Sequence, residues 1–173
     1  MLGLAGIIQP SLSAGEGSPG AKPGDLRELY GKISRAVVGI TRRDFPRSRS
    51  RSTITHFGTG TLLDPVGLVL TSPTVVPEGS RNIDVYLRGG RVAPALLIKV
   101  YPEKEVSLLQ LKDFRRALEP GRDRLDYLRP GSSKALAIGD PVFSLGNAFG
   151  SIQADDQVVM AAGVLSAMIE LKD

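Results

Sequence analysis

Gly58-Thr59-Gly60-Thr61-Leu62-Leu63-Asp64-Pro65-Val66-Gly67-Leu68-Val69-Leu70-Thr71-Ser72-Pro73-Thr74-Val75-Val76 sets two short apolar runs on either side of an Asp-Pro-Val-Gly tetrad. Proline at 65 presets φ for a turn, and glycine at 67 reaches backbone conformations closed to other residues. The stretch therefore predicts a β-hairpin, with strands at 55–63 and 68–71. Gly58, Gly60 and Gly67 flank strands and do not open a helix, so they read as turn and close-approach positions, not as a phosphate loop.

The same period-two pattern extends outward to 37–43, 83–87, 92–100 and 106–111, with Arg88-Gly89-Gly90-Arg91 supplying another hairpin turn. Six short antiparallel strands are what a small closed barrel requires. Before them, Asp25-Leu26-Arg27-Glu28 has the spacing of a capping box. Leu26, Leu29, Ile33 and Val37 recur at helical spacing, which predicts a short amphipathic helix ending near Arg35 and docked on the barrel. Residues 112–134 are polar, contain two Pro/Gly breaks and read as a connection. Strand signals resume at 141–146 and 158–171. The expected organisation is a leader at 1–24, helix and first barrel at 25–111, a connection at 112–134 and the start of a second barrel at 135–173.

Composition agrees with an all-β chain. A length of 173 residues suits one domain or two half-domains, 42% hydrophobic residues allow a core, and 20 glycines with 12 prolines imply many turns. There is no cysteine and a single histidine, His56, so the sequence offers neither a disulfide framework nor a zinc site of the usual kind. No metal and no cofactor is expected. No apolar run reaches the ~20 residues needed to span a bilayer as a helix. Residues 1–8 are apolar and 9–14 small and polar, which fits either a flexible leader or the remnant of a secretory signal.

The opening stretch resembles the first-barrel hairpin of HtrA/Deg-type, trypsin-fold serine proteases, whose form is G-S-G-hydrophobics-D-x-x-G-hydrophobics-T-N-x-H-V-V. Gly139-Asp140-Pro141-Val142-Phe143-Ser144-Leu145-Gly146-Asn147-Ala148-Phe149-Gly150 is similar to the family's G-D-W-V-x-A-I-G-N-P-F-G, and Ala162-Gly163-Val164-Leu165-Ser166-Ala167 to its A-G-I-V-S-A. The resemblance implies a trypsin-like antiparallel β-barrel, first barrel complete and second partial, with a short N-terminal helix. It also implies an extracytoplasmic setting, periplasmic or secreted.

The same resemblance bears on chemistry. The family's general base falls on Thr74, and a hydroxyl does not accept a proton from serine near neutral pH. The family's D-L-A-V-L-K strand start corresponds to Glu105-Val106-Ser107-Leu108-Leu109-Gln110, which places Glu105 at the aspartate position. No G-N-S-G-G or G-D-S-G-G string occurs; by the resemblance it is expected beyond Asp173. The chain is therefore expected to be a protease homologue that is inactive as it stands. The alternative is a module that holds peptides or assembles oligomers through an open barrel edge. His56 is a rescue candidate for the base, because hairpin register sets Phe57 opposite Thr74 and His56 beside Val75.

Arg42, Arg43, Arg47, Arg49 and Arg51, opposed within the run by Asp44 alone, form the densest charge feature. The run lacks interleaved aromatics, which points away from nucleic acid and toward a solvated loop. The resemblance implies a self-association contact as the next choice, because in HtrA-like proteins this loop is often long and takes part in oligomer contacts. The partners expected are peptide or protein segments, including a second copy through the 42–51 loop or the second-barrel edge.

Overall fold

A computed structural model describes residues 23–44 and 54–169, and only the backbone of 23–25. Residues 1–22 of the expected leader, most of the arginine loop and residues 170–173 lie outside the described residues.

Helix α1, Pro23–Ile33, begins at a proline, a residue suited to the first helical turn, where its missing N–H costs nothing. Asp25 therefore lies inside the helix and is not its N-cap, which corrects the capping-box reading. Glu28 reaches Lys32 one turn on at 2.6 Å, and that hydrogen bond and charge hold its carboxyl below the ordinary value. Ile33 is buried, and the Tyr30 hydroxyl donates to the Val158 carbonyl at 2.8 Å.

Six strands follow: β1 Val37–Asp44, β2 Ile54–Leu62, β3 Leu68–Thr71, β4 Ile83–Leu87, β5 Arg91–Tyr101 and β6 Val106–Leu111. They close into an antiparallel barrel in the order β1-β2-β3-β6-β5-β4. This is the cylinder expected from the sequence. The long return from β3 sets β4 beside β1, a Greek-key arrangement. Alternation sends Val38, Ile40, Val69, Val85, Ala93 and Leu109 into a core with no solvent exposure.

The deciding hairpin forms as its residues require. The Asp64 carboxylate accepts from the backbone N–H of Val66 and Leu68 at 2.9 and 2.8 Å, and Leu63 N–H donates to Leu68 at 2.8 Å. Gly67 has φ 96, and a Cβ there would stand 2.8 Å from Leu111. Turn and strand packing thus demand the same glycine.

Residues 112–128 are more than a polar connection. A 3-10 turn at Phe114–Ala117 lies on the barrel, burying Ala117, and Leu125 joins the core beside it. Leu125 N–H donates to the Pro65 carbonyl at 3.1 Å and Leu128 N–H to the Leu62 carbonyl at 2.9 Å. The segment is a strap across one end of the barrel.

After the strap come β7 Pro141–Gly146, helix α2 Ser151–Asp155 and β8 Val159–Val164. β7 and β8 form a two-stranded antiparallel sheet. β8 stops at Val164, short of the expected 171. Gly139 N–H donates to the Leu165 carbonyl and Leu165 N–H to the Asp140 carbonyl, both at 2.8 Å. Beyond that closure β7 has no further residues to pair, so the ladder ends. Val37, Ile152 and Val158 form a small second cluster that joins this unit to β1.

Candidate functional site

The candidate site lies at the end of the barrel where β3 finishes and β6 begins, since Thr71 pairs with Ser107. Ser72 starts a tight turn there: its carbonyl accepts from Val75 and Val76 N–H, each at 3.0 Å. The buried Ser107 hydroxyl donates to the Val76 carbonyl at 2.8 Å, and the Thr71 hydroxyl to the Thr59 carbonyl at 2.8 Å. These bonds let Val76 plug the barrel with no exposed surface.

Thr74 is exposed on this turn. Its hydroxyl lies 2.8 Å from that of Ser72, and its N–H donates to the Ser72 oxygen at 3.1 Å. Such a local turn satisfies a hydroxyl without activating it, since neither partner is a base. Glu105 is exposed just before β6, in the left-handed region at φ 51 and ψ 38. Its N–H closes the preceding 3-10 turn onto Pro102 at 3.0 Å. Among the described residues, no hydrogen bond joins Thr74 to Glu105.

His56 pairs across the ladder with Arg42 on β1. Its Nε2 stands 3.1 Å from the Asp44 carboxylate, which also accepts from Arg42 at 2.9 Å. Gly58 stands against Val75: a Cβ at Gly58 would meet Val75 at 2.4 Å. The chain bends after Thr71, so the hairpin register does not carry His56 to the Thr74 turn. The imidazole and the Thr74 hydroxyl have separate partners, and the Glu105 carboxylate makes no hydrogen bond or ion pair among the described residues. Nothing among the described residues links them into a proton relay.

Asn147 was not singled out by the sequence reading, yet it fastens the second unit to the barrel. It is buried; its side chain donates to the Gly58 carbonyl at 3.1 Å and to Gln153 at 2.7 Å, and accepts from Ile152 N–H at 2.8 Å. Its own N–H donates to the Thr59 hydroxyl at 2.8 Å. Gly39 makes room for this clasp, because a Cβ there would sit 2.9 Å from the Asn147 amide. The sequence signal was Gly146-Asn147 itself: a polar side chain at the end of an apolar strand, with glycine before it. Ser72 had a signal too, since Ser-x-Thr spacing suits a side chain–backbone turn. Asp44 had none, as its partner lies across the 45–53 loop.

Among the described residues, no cluster of three or more His, Asp or Glu side chains could hold a metal ion, and no helix is long and apolar enough to cross a membrane.

Comparisons with known proteins agree with this architecture. The profile of the trypsin-like peptidase domain matches residues 58–171, more than half of the chain. A probable periplasmic serine endoprotease, DegP-like, of Chlamydia pneumoniae is 33% identical over 110 residues, covering 64% of this chain and 20% of the relative. A protein of the same description from Chlamydia muridarum is 29% identical over 127 residues, covering 73% of this chain and 22% of the relative. The matched stretch is thus about a fifth of each relative's length. With a closed six-stranded barrel, a two-stranded sheet and a profile match over most of both, the chain belongs to the trypsin-like peptidase domain family as a distant DegP-type serine protease homologue.

Proposed function

We propose that this chain keeps the protease architecture and does not hydrolyse peptide bonds. The reading rests on the resemblance, which sets Thr74 where the family has its histidine, and is supported by the Thr74 hydroxyl lying 2.8 Å from that of Ser72. Hydrolysis by this family's route needs an imidazole between nucleophile and carboxylate, and a threonine supplies no basic lone pair near neutral pH. Glu105 on its exposed turn then has no imidazole to orient, and the lone imidazole is 3.1 Å from Asp44. By analogy with the periplasmic relatives, the setting is extracytoplasmic.

The test uses the purified chain and its Thr74→His variant, with casein as substrate and a fluorophosphonate as label. Neither protein is expected to digest casein or take up label, because a base alone does not supply the nucleophile and oxyanion donors. Digestion by the unmodified chain would falsify the proposal.

A second reading, a module that holds extended peptides or a second copy, is favoured by the β7–β8 sheet. Among the described residues each strand pairs with one neighbour, and five of the six β8 residues are exposed. Unpaired N–H and C=O groups on such edges accept a further strand. Donors alternate along an antiparallel strand, so one of Ala161→Pro and Ala162→Pro removes an outward donor. That variant is expected to abolish capture of a fluorescent extended peptide with the β7–β8 ladder still paired, whereas the other removes a donor to β7 and loosens the ribbon itself. Undiminished binding by the variant that lacks the outward donor counts against strand addition.

A further inference from the structure

At the barrel end opposite Thr74, five arginines surround one small depression: Arg35, Arg88, Arg91, Arg122 and Arg124, with Glu119 and Asp126 among them. Register places this end unambiguously, because Leu62 and the β4–β5 turn lie away from Thr71 and Ser107. The floor is apolar, made by the buried Leu62, Leu87 and Leu125.

The five guanidinium groups are not equivalent. Arg91 is committed to the fold: it donates to the Ala117 carbonyl at 2.6 Å, to the Arg88 carbonyl and to Glu119 at 3.0 Å. Arg122 is likewise held by Asp126 at 2.8 Å and by Glu119 at 3.8 Å. The two carboxylates are thereby used. Arg35 has only a loose approach to Asp126 at 3.9 Å. Arg88 donates at 3.3 Å to the hydroxyl of Ser34, itself fully buried, and has no carboxylate partner among the described residues. Arg124 lines the same depression with no ion pair among the described residues. Arg88 and Arg124, without an ion pair among the described residues, and the loosely paired Arg35 thus line one depression over a low-dielectric floor, where a bound anion is poorly screened.

We infer that this depression is a binding site for a small oxyanion of the phosphate class, held by Arg35, Arg88 and Arg124. Guanidinium forks match tetrahedral oxyanions bidentately. A multiply charged anion suits these three cations better than a single carboxylate. Ser34 fixes one fork in advance, which lowers the ordering cost of binding. The site lies at the barrel end away from the Thr74 turn and does not depend on whether the chain hydrolyses peptides.

The test titrates inorganic phosphate, pyrophosphate and succinate separately into the purified chain by calorimetry at fixed ionic strength. Saturable one-to-one binding of phosphate or pyrophosphate is expected, tighter than succinate. Arg124→Gln and Arg88→Gln should each weaken it by about tenfold or more, the size of one charge-assisted hydrogen bond. Lys104→Gln, on an exposed turn at the other end, should leave it unchanged. Arg124 is exposed and makes no hydrogen bond among the described residues, so its variant folds even where Arg88→Gln does not. The assignment is overturned by no saturation at millimolar phosphate, by tighter binding of succinate, or by equal loss in Lys104→Gln. It is overturned as well if only duplex nucleic acid binds, with a salt dependence of many phosphates.

Discussion

Strands β6 and β8 are each six residues long and mostly apolar, Val-Ser-Leu-Leu-Gln-Leu against Val-Met-Ala-Ala-Gly-Val. Every second residue of β6 is buried, whereas β8 is exposed at all but one position. Strand length does not separate them; neighbours do. β6 is paired on both sides, by β3 and β5, inside a closed barrel, while among the described residues β8 pairs with β7 alone. A strand in a closed barrel gains an interior to fill and loses its free edge. A strand in a two-stranded ribbon gains neither, and ribbons of that size are marginal unless packed on something else. Here that packing is the small cluster of Val37, Ile152 and Val158, together with the Asn147 clasp.

The largest effect that sharpens this contrast is Leu109→Ala, at a fully buried barrel position. It is expected to cost about 2–5 kcal/mol in urea denaturation, against less than about 1 kcal/mol for Met160→Ala on β8. Similar costs for the two would erase the distinction. Next comes Asn147→Ala, which leaves the Gly58 carbonyl and Ile152 N–H without their partner. A loss of about 1–3 kcal/mol is expected, confined to the second unit. Hydrogen exchange should show faster amides in β7 and β8 with barrel amides unchanged; uniform loss across both would mean that the two regions unfold as one.

The smallest effect is outside both regions. Glu28→Gln on α1 removes an exposed pair with Lys32, and melting should move by about 1 °C or less at pH 7. The sign follows from the lowered carboxyl. Its contribution is present above the ordinary value of 4.5 and is lost as pH falls through the depressed one, so variant and parent should converge in acid.

What the sequence made legible was chiefly local. The Asp64–Gly67 turn, the alternation of β1 to β6 and the cylinder they close all follow from patterns within a few residues of one another. Thr74 and Glu105 were read by motif, and both stand on exposed turns at the Thr71–Ser107 end of the barrel. What escaped the reading was set by contacts distant in sequence. Ala117 and Leu125 are single apolar residues in polar surroundings, and nothing nearby marks them as core. His56 meets Asp44 only because β1 and β2 pair across the intervening loop. The end of β8 was misjudged because apolar residues continue past Val164, whereas its partner strand begins at Pro141 and offers no further rungs.

The strap has a consequence for how the second unit moves. Its last bond to the barrel is made by Leu128, so only residues 129–140 separate a fixed anchor from the first residue of β7. A tether that short keeps a released ribbon at an effective concentration of roughly millimolar beside its seat. Detachment is therefore an intramolecular equilibrium: dilution leaves it unchanged, and re-docking outruns diffusional escape.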